Sequence, residues 1–149
     1  MRRKAPTRRT VDPPVLQSVA GNIAFPNGMV VTPDNETLIV SESFTGSLPA
    51  FDIAGDGGLS RRRMWAQGLG PDGICLDATG ATWTSRPDNA CVRVAEGGTI
   101  LERIQFDRAC FATALWGDPR RRTQFMMANQ FLGPDRFDAM FACAQARCW

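Results

Sequence analysis

The chain has 149 residues, 44% of them apolar, which is enough for one domain with a real core. It contains no histidine, so Ser-His-Asp and Cys-His machinery, histidine-bearing zinc sites and imidazole bases are excluded. Its formal net charge of +2 gives no electrostatic case for nucleic acid or an anionic membrane, and no run reaches the roughly 20 apolar residues of a membrane span.

Met1 to Thr10 is basic and polar, and Pro13-Pro14 stand where a signal peptide would carry its apolar segment. Residues 1–12 are therefore expected to form a disordered basic extension, and the protein is expected in the cytoplasm. Val15 to Ala24 is expected to supply one strand.

The next stretch organises the rest. Phe25-Pro26-Asn27-Gly28-Met29-Val30-Val31-Thr32-Pro33-Asp34 returns in variant form as Gly70-Pro71-Asp72-Gly73-Ile74-Cys75-Leu76-Asp77, which puts Asn27 and Asp72 at equivalent places 45 residues apart. A period of that size marks stacked supersecondary units, and blades of a β-propeller are the nearest match. Each copy is followed by short β-prone runs between turns: Thr37 to Val40, Leu48 to Ile53 and Leu59 to Trp65 in one, Ala81 to Thr84, Cys91 to Val94 and Thr99 to Phe106 in the other. With its motif strand each repeat holds four, the content of a blade. Blades are thus expected at about 25–67 and 68–107.

A third, degraded copy begins near 108 with Cys110 to Trp116, the turn Gly117-Asp118-Pro119, and Thr123 to Ala128. The place matching Asn27 falls at Phe111 or a neighbour, so this blade offers no ligand. The propeller part is read as 13–135, and 136–149 has no assignment.

Pro-Asn-Gly and Pro-Asp-Gly taken singly are turn tripeptides. As a repeated pair they offer two oxygens to a hard cation, each followed by a glycine that removes a side chain where backbones crowd. Asp34, Asp77 and Asp118 read as turn residues, and Trp65, Trp83 and Trp116 as blade packing. Glu42 is a charge between two serines at a strand end. Arg61-Arg62-Arg63 and Arg120-Arg121-Arg122 read as solvated blade edges. The five cysteines show no Cys-x-x-Cys spacing, and Cys75, Cys91 and Cys110 read as small core residues in a reducing compartment.

The run from Phe25 to Asp34 with Leu38-Ile39-Val40-Ser41-Glu42-Ser43, then Phe51-Asp52-Ile53, Pro71 to Asp77, Cys91-Val92-Arg93-Val94 with Glu96-Gly97-Gly98, and Cys110-Phe111-Ala112, resembles the senescence marker protein, gluconolactonase and luciferin-regenerating enzyme family, which includes regucalcin. The resemblance covers roughly residues 20–135 and corresponds to that family's C-terminal half. It implies an all-β fold: a partial, about three-blade fragment of a six-bladed β-propeller. It also implies a metal-dependent hydrolase of sugar lactones, with a small-molecule sugar lactone as partner, impaired because half of the site lies outside this chain. By the same resemblance Asn27 and Asp72 are metal ligands and Asp72 is the catalytic base. The cofactor implied is a divalent cation, calcium first, with zinc, manganese and magnesium as alternatives. Three blades do not close a ring, so open blade edges are left for self-association. The competing reading is a non-catalytic truncated propeller or interaction module.

Overall fold

Strands form where β-branched and aromatic residues run between Gly, Asp, Asn and Pro turns. The computed structural model describes residues 18–116, 123–129 and 145–148, and these hold eleven strands. β1 (Pro26–Val31), β2 (Thr37–Glu42), β3 (Ser47–Ile53) and β4 (Leu59–Gln67) make one antiparallel sheet in sequence order. β5 (Cys75–Leu76), β6 (Thr82–Ser85), β7 (Ala90–Val94) and β8 (Ile100–Gln105) make a second in the same order. β9 (Ala109–Trp116), β10 (Thr123–Asn129) and β11 (Gln145–Cys148) make a third, with β10 in the middle. The fold is all-β, three blades of a partial propeller, and the tail that had no assignment supplies β11. Among the described residues no helix is long and apolar enough to cross a membrane.

Side chains alternate across each strand, so every inner blade has two faces to bury. Ile39, Leu48, Ala50 and Trp65 of the first sheet pack on Leu76, Ala90, Val92 and Val94 of the second. The opposite face of the second sheet sets Cys75, Trp83 and Cys91 against Cys110 and Met126 of the third. Trp65 and Trp83 are both buried, as packing aromatics should be; the side chain of Trp116 lies outside the described residues.

Two expectations change. Residues 18–24 form no strand: Asn22 and Phe25 adopt positive φ, and the segment is tied instead by the Asn22 carbonyl accepting from Arg62 Nη1 at 2.7 Å and the Ala24 amide donating to Glu42 Oε1 at 3.0 Å. The Ala24 amide, given to a side chain, is lost to a sheet ladder. The Arg61–Arg63 run, in turn, is an ion-pair strip as well as an edge. Arg61 and Arg63 share Asp52, Arg62 reaches Glu42, and Arg63 Nε also takes Glu96 Oε1 at 2.9 Å, joining the first blade to the second. Residues 1–17, Asp118 and Arg120–Arg122 lie outside the described residues.

Glu42 is a buried knot. Oε1 accepts from Ala24 N and Arg62 Nη2, and Oε2 accepts from Thr45 Oγ1 at 3.2 Å and Ser47 Oγ at 3.0 Å. Burial alone would push its pKa up, but these hydrogen bonds and the Arg62 charge more than reverse that and leave it below the ordinary 4.5. A lowered folded pKa means stability that is present above 4.5 and lost as pH falls through the folded value. We predict that Glu42→Gln costs about 1–3 kcal/mol at pH 7 in urea melts, and that wild type and variant converge as the pH is taken well below 4 in the same assay.

Candidate functional site

The site is built on the loop from Gly68 to Ile74, which carries the chain from outer strand β4 of one blade to inner strand β5 of the next. Three consecutive carbonyls of this loop are each held by a serine. Ser85 Oγ donates to Gly70 O, Ser43 Oγ to Pro71 O and Ser41 Oγ to Asp72 O, all at 2.7 Å. Gly28 N donates to Asp72 O at 3.0 Å, and Gly73 N donates to Phe111 O at 3.0 Å, so all three blades grip the same few residues.

Gly28 is a packing requirement. A Cβ there would lie 2.6 Å from Asp72 O and 2.7 Å from Ile74 N, both backbone atoms that cannot yield cheaply. The close approach of β1 to the loop sets the neighbouring Asn27 against Asp72, and Asn27 Nδ2 donates to Asp72 Oδ1. The two side chains at equivalent places of the repeat thus face each other across the gap between blades. Asn27 is exposed and Asp72 half-buried. Burial raises the Asp72 pKa above its ordinary value, and the Asn27 hydrogen bond offsets this only in part.

The donors suit a hard divalent cation by type, since both side chains carry oxygen. In the arrangement seen, the carboxamide turns its N–H toward the carboxylate. Turning Oδ1 there instead would bring two acceptors together, which is favourable only with a cation between them. The set is small: among the described residues no cluster of three or more His, Cys, Asp or Glu side chains is placed to hold a metal.

The pair borders a cavity of about 260 Å³. Phe25, Ser43, Ser85, Arg86 and Phe111 also line it, and Phe25 stacks on Phe44 with ring centroids 4.3 Å apart. Sequence reasoning missed the three serines, Phe25 and Arg86. Ser41 and Ser43 flank Glu42, where the charge drew attention away from the hydroxyls; Phe25 stands one residue before the motif proline.

The remaining candidates are accounted for structurally. Asp34 accepts from Thr32 Oγ1 and Glu36 N, and Asp77 from Thr79 N, Ala81 N and Arg93 Nε, as turn residues do. Cys91 has its pKa pushed up by its hydrogen bond with Cys110 and then by burial, which removes it as a nucleophile. A wider hollow of about 720 Å³ is lined by Arg61, Arg63 and Asp52, which pair with one another, and by Arg62 and Glu36.

The family model for the SMP-30/Gluconolactonase/LRE-like region matches residues 7–130. The chain belongs to that family. It is 26% identical over 120 residues to the 6-deoxy-6-sulfogluconolactonase of Pseudomonas putida, covering 76% of this chain and 41% of that protein. A solved gluconolactonase from Xanthomonas campestris superposes with a TM-score of 0.67 at 28% identity, over 78% of this chain and 39% of the other. The calcium-binding protein regucalcin from Agrobacterium tumefaciens shares the fold, with a TM-score of 0.65 at 20% identity over 83% of this chain and 44% of its own. The chain thus spans less than half the length of each of these relatives.

Two substitutions test the geometry. Gly28→Ala is expected to lower stability by about 1–3 kcal/mol, as overpacking against backbone does, read from denaturant midpoints. Asp72→Asn keeps an acceptor for Asn27 while removing a carboxylate that burial disfavours, so its melting temperature should equal or exceed that of wild type; a clear fall would show that the charge is structurally required.

Proposed function

We propose that this chain carries part of the active centre of a sugar-lactone hydrolase. The observation that carries the reading is the meeting of Asn27 and Asp72 on the rim of a cavity, with Asp72 left without a cationic side-chain partner among the described residues. Asn27 and Asp72 are the residues that would hold a divalent cation, calcium first, and such a cation supplies polarisation of the lactone carbonyl when bound.

The chain's own residues act on water and on position. Asp72 accepts a proton from the water whose oxygen attacks the carbonyl carbon, and its raised pKa brings it nearer the working pH of a general base. The ring C–O bond then breaks, and the ring oxygen leaves as a hydroxyl by taking that proton back from Asp72, giving the open hydroxy acid. Asn27 orients the carboxylate, and the serine-held loop fixes both. Phe25 offers an apolar face to the sugar ring.

Two side-chain oxygens fall short of the six to eight that calcium takes. Affinity and turnover are therefore expected below those of a protein with a complete ligand set. The buried thiols Cys75, Cys91 and Cys110 fit a reducing compartment, so the cytoplasm is the proposed location.

A specific observation favours self-association beside this activity. On edge strand β1, Met29 and Val31 are exposed on one face, Met29 to 64%. Apolar faces of this kind associate.

The decisive experiment is lactone opening followed as acid release. Activity is expected with calcium and is expected to disappear with chelator and with Asp72→Ala; activity that survives both treatments rejects the reading. In sedimentation runs Met29→Lys with Val31→Lys should shift the chain toward monomer, and an unchanged distribution would exclude this face as the contact.

A further inference from the structure

Arg86 has no role in the mechanism above, yet it lines the same cavity as Asn27 and Asp72. Its setting is fixed. Arg86 N donates to Ala90 O at 2.8 Å, and the next residue, Pro87, is packed so tightly on Gly70 that a Cβ at Gly70 would lie 2.9 Å from Pro87 Cδ. The backbone that bears Arg86 therefore sits against the loop that bears Asp72.

Its guanidinium is poorly matched from within the protein. Nε forms an ion pair with Asp88 Oδ1 at 3.5 Å but is buried without a hydrogen-bond partner. The other oxygen, Asp88 Oδ2, accepts from Arg103 Nη1 at 3.0 Å, so Asp88 divides its charge between two arginines. The two serines that line the cavity have spent their protons on Gly70 O and Pro71 O. Among the described residues that leaves Arg86 as the cationic donor of the cavity wall. A buried N–H of a charged group without an acceptor is costly, and a ligand acceptor would remove the cost.

We propose that the cavity binds an anionic group on Arg86, so that the molecule it takes carries a carboxylate, phosphate or sulfonate. The guanidinium fork suits all three, since each presents paired oxygens. Arg86 and the Asp72 carboxylate border one cavity with opposite charge. A charged lactone is thereby oriented, its anionic substituent toward Arg86 and its carbonyl toward Asp72. The anion site stands on the cavity alone; that its ligand is a lactone rests on the function proposed above.

The test uses the full chain in two arms. In thermal melts at constant ionic strength set with chloride, methanesulfonate and inorganic phosphate are titrated separately. A saturable rise in melting temperature is expected for at least one of them, lost in Arg86→Gln and partly kept in Arg86→Lys. No rise above chloride in wild type, or the same rise in Arg86→Gln, overturns the proposal. In the second arm glucaro-1,4-lactone, which carries a carboxylate, is compared with neutral glucono-1,5-lactone. The ratio of their kcat/KM values is expected to fall by about 10- to 100-fold in Arg86→Gln, the size of one charged hydrogen-bonding partner, mainly through KM for the charged substrate. An unchanged ratio overturns the assignment of Arg86. If the anion stabilises wild type and not Arg86→Gln while neither lactone is opened, the site stands and the lactonase reading falls.

Discussion

The interaction on which the rest depends is the grip on one short piece of backbone. The carbonyls of Gly70, Pro71 and Asp72 are polar groups at the seam between blades, where an unmet hydrogen bond is expensive. Each is met by a hydroxyl from a neighbouring strand end, and the Gly73 amide is met by the third blade. The same bonds that satisfy the seam set the direction of the Asp72 side chain.

Much of this was legible in the sequence, and the reason is periodicity. A repeat of 45 residues with four β-prone runs in each copy fixes the strand count and the blade boundaries. It also pairs Asn27 with Asp72 without reference to any site. Glycine after each was read as relief of crowding, and at Gly28 the crowding is the backbone of the facing loop. What stayed hidden were contacts with no period. Ser85 and Arg86 are adjacent in sequence, but the cavity they share with Phe25 exists only once β1, β6 and the Gly68–Ile74 loop are brought together. The segment before Phe25 misled for the opposite reason. Its composition suits a strand, but Asn22 and Phe25 turn it, and Glu42 and Arg62 take its polar groups.

Charge distribution separates structural carboxylates from the candidate site. Glu42 is paired with Arg62, Asp52 with Arg61 and Arg63, Asp77 with Arg93, and Asp88 with Arg103 and Arg86. All four have pKa values held below the ordinary carboxylate range, since burial, where it acts, is outweighed by arginine and hydrogen-bond donors. Asp72 goes the other way: burial raises it, and its side-chain partner is a neutral amide. A partly buried carboxylate with no arginine partner among the described residues has its charge left for something else to meet.

Arg86 is the complement of that argument. Most of the arginines described here donate a hydrogen bond to an acidic or carbonyl oxygen, whereas Arg86 Nε meets Asp88 only as an ion pair at 3.5 Å. An underpaired carboxylate and an underpaired guanidinium on the wall of one cavity could have neutralised each other had the backbone allowed them to meet. The serine-held loop on one side and Pro87 packed on Gly70 on the other keep their backbones in place. Two opposite charges fixed in this way are a field across the cavity, and a field of that kind selects a ligand that is itself polar from end to end.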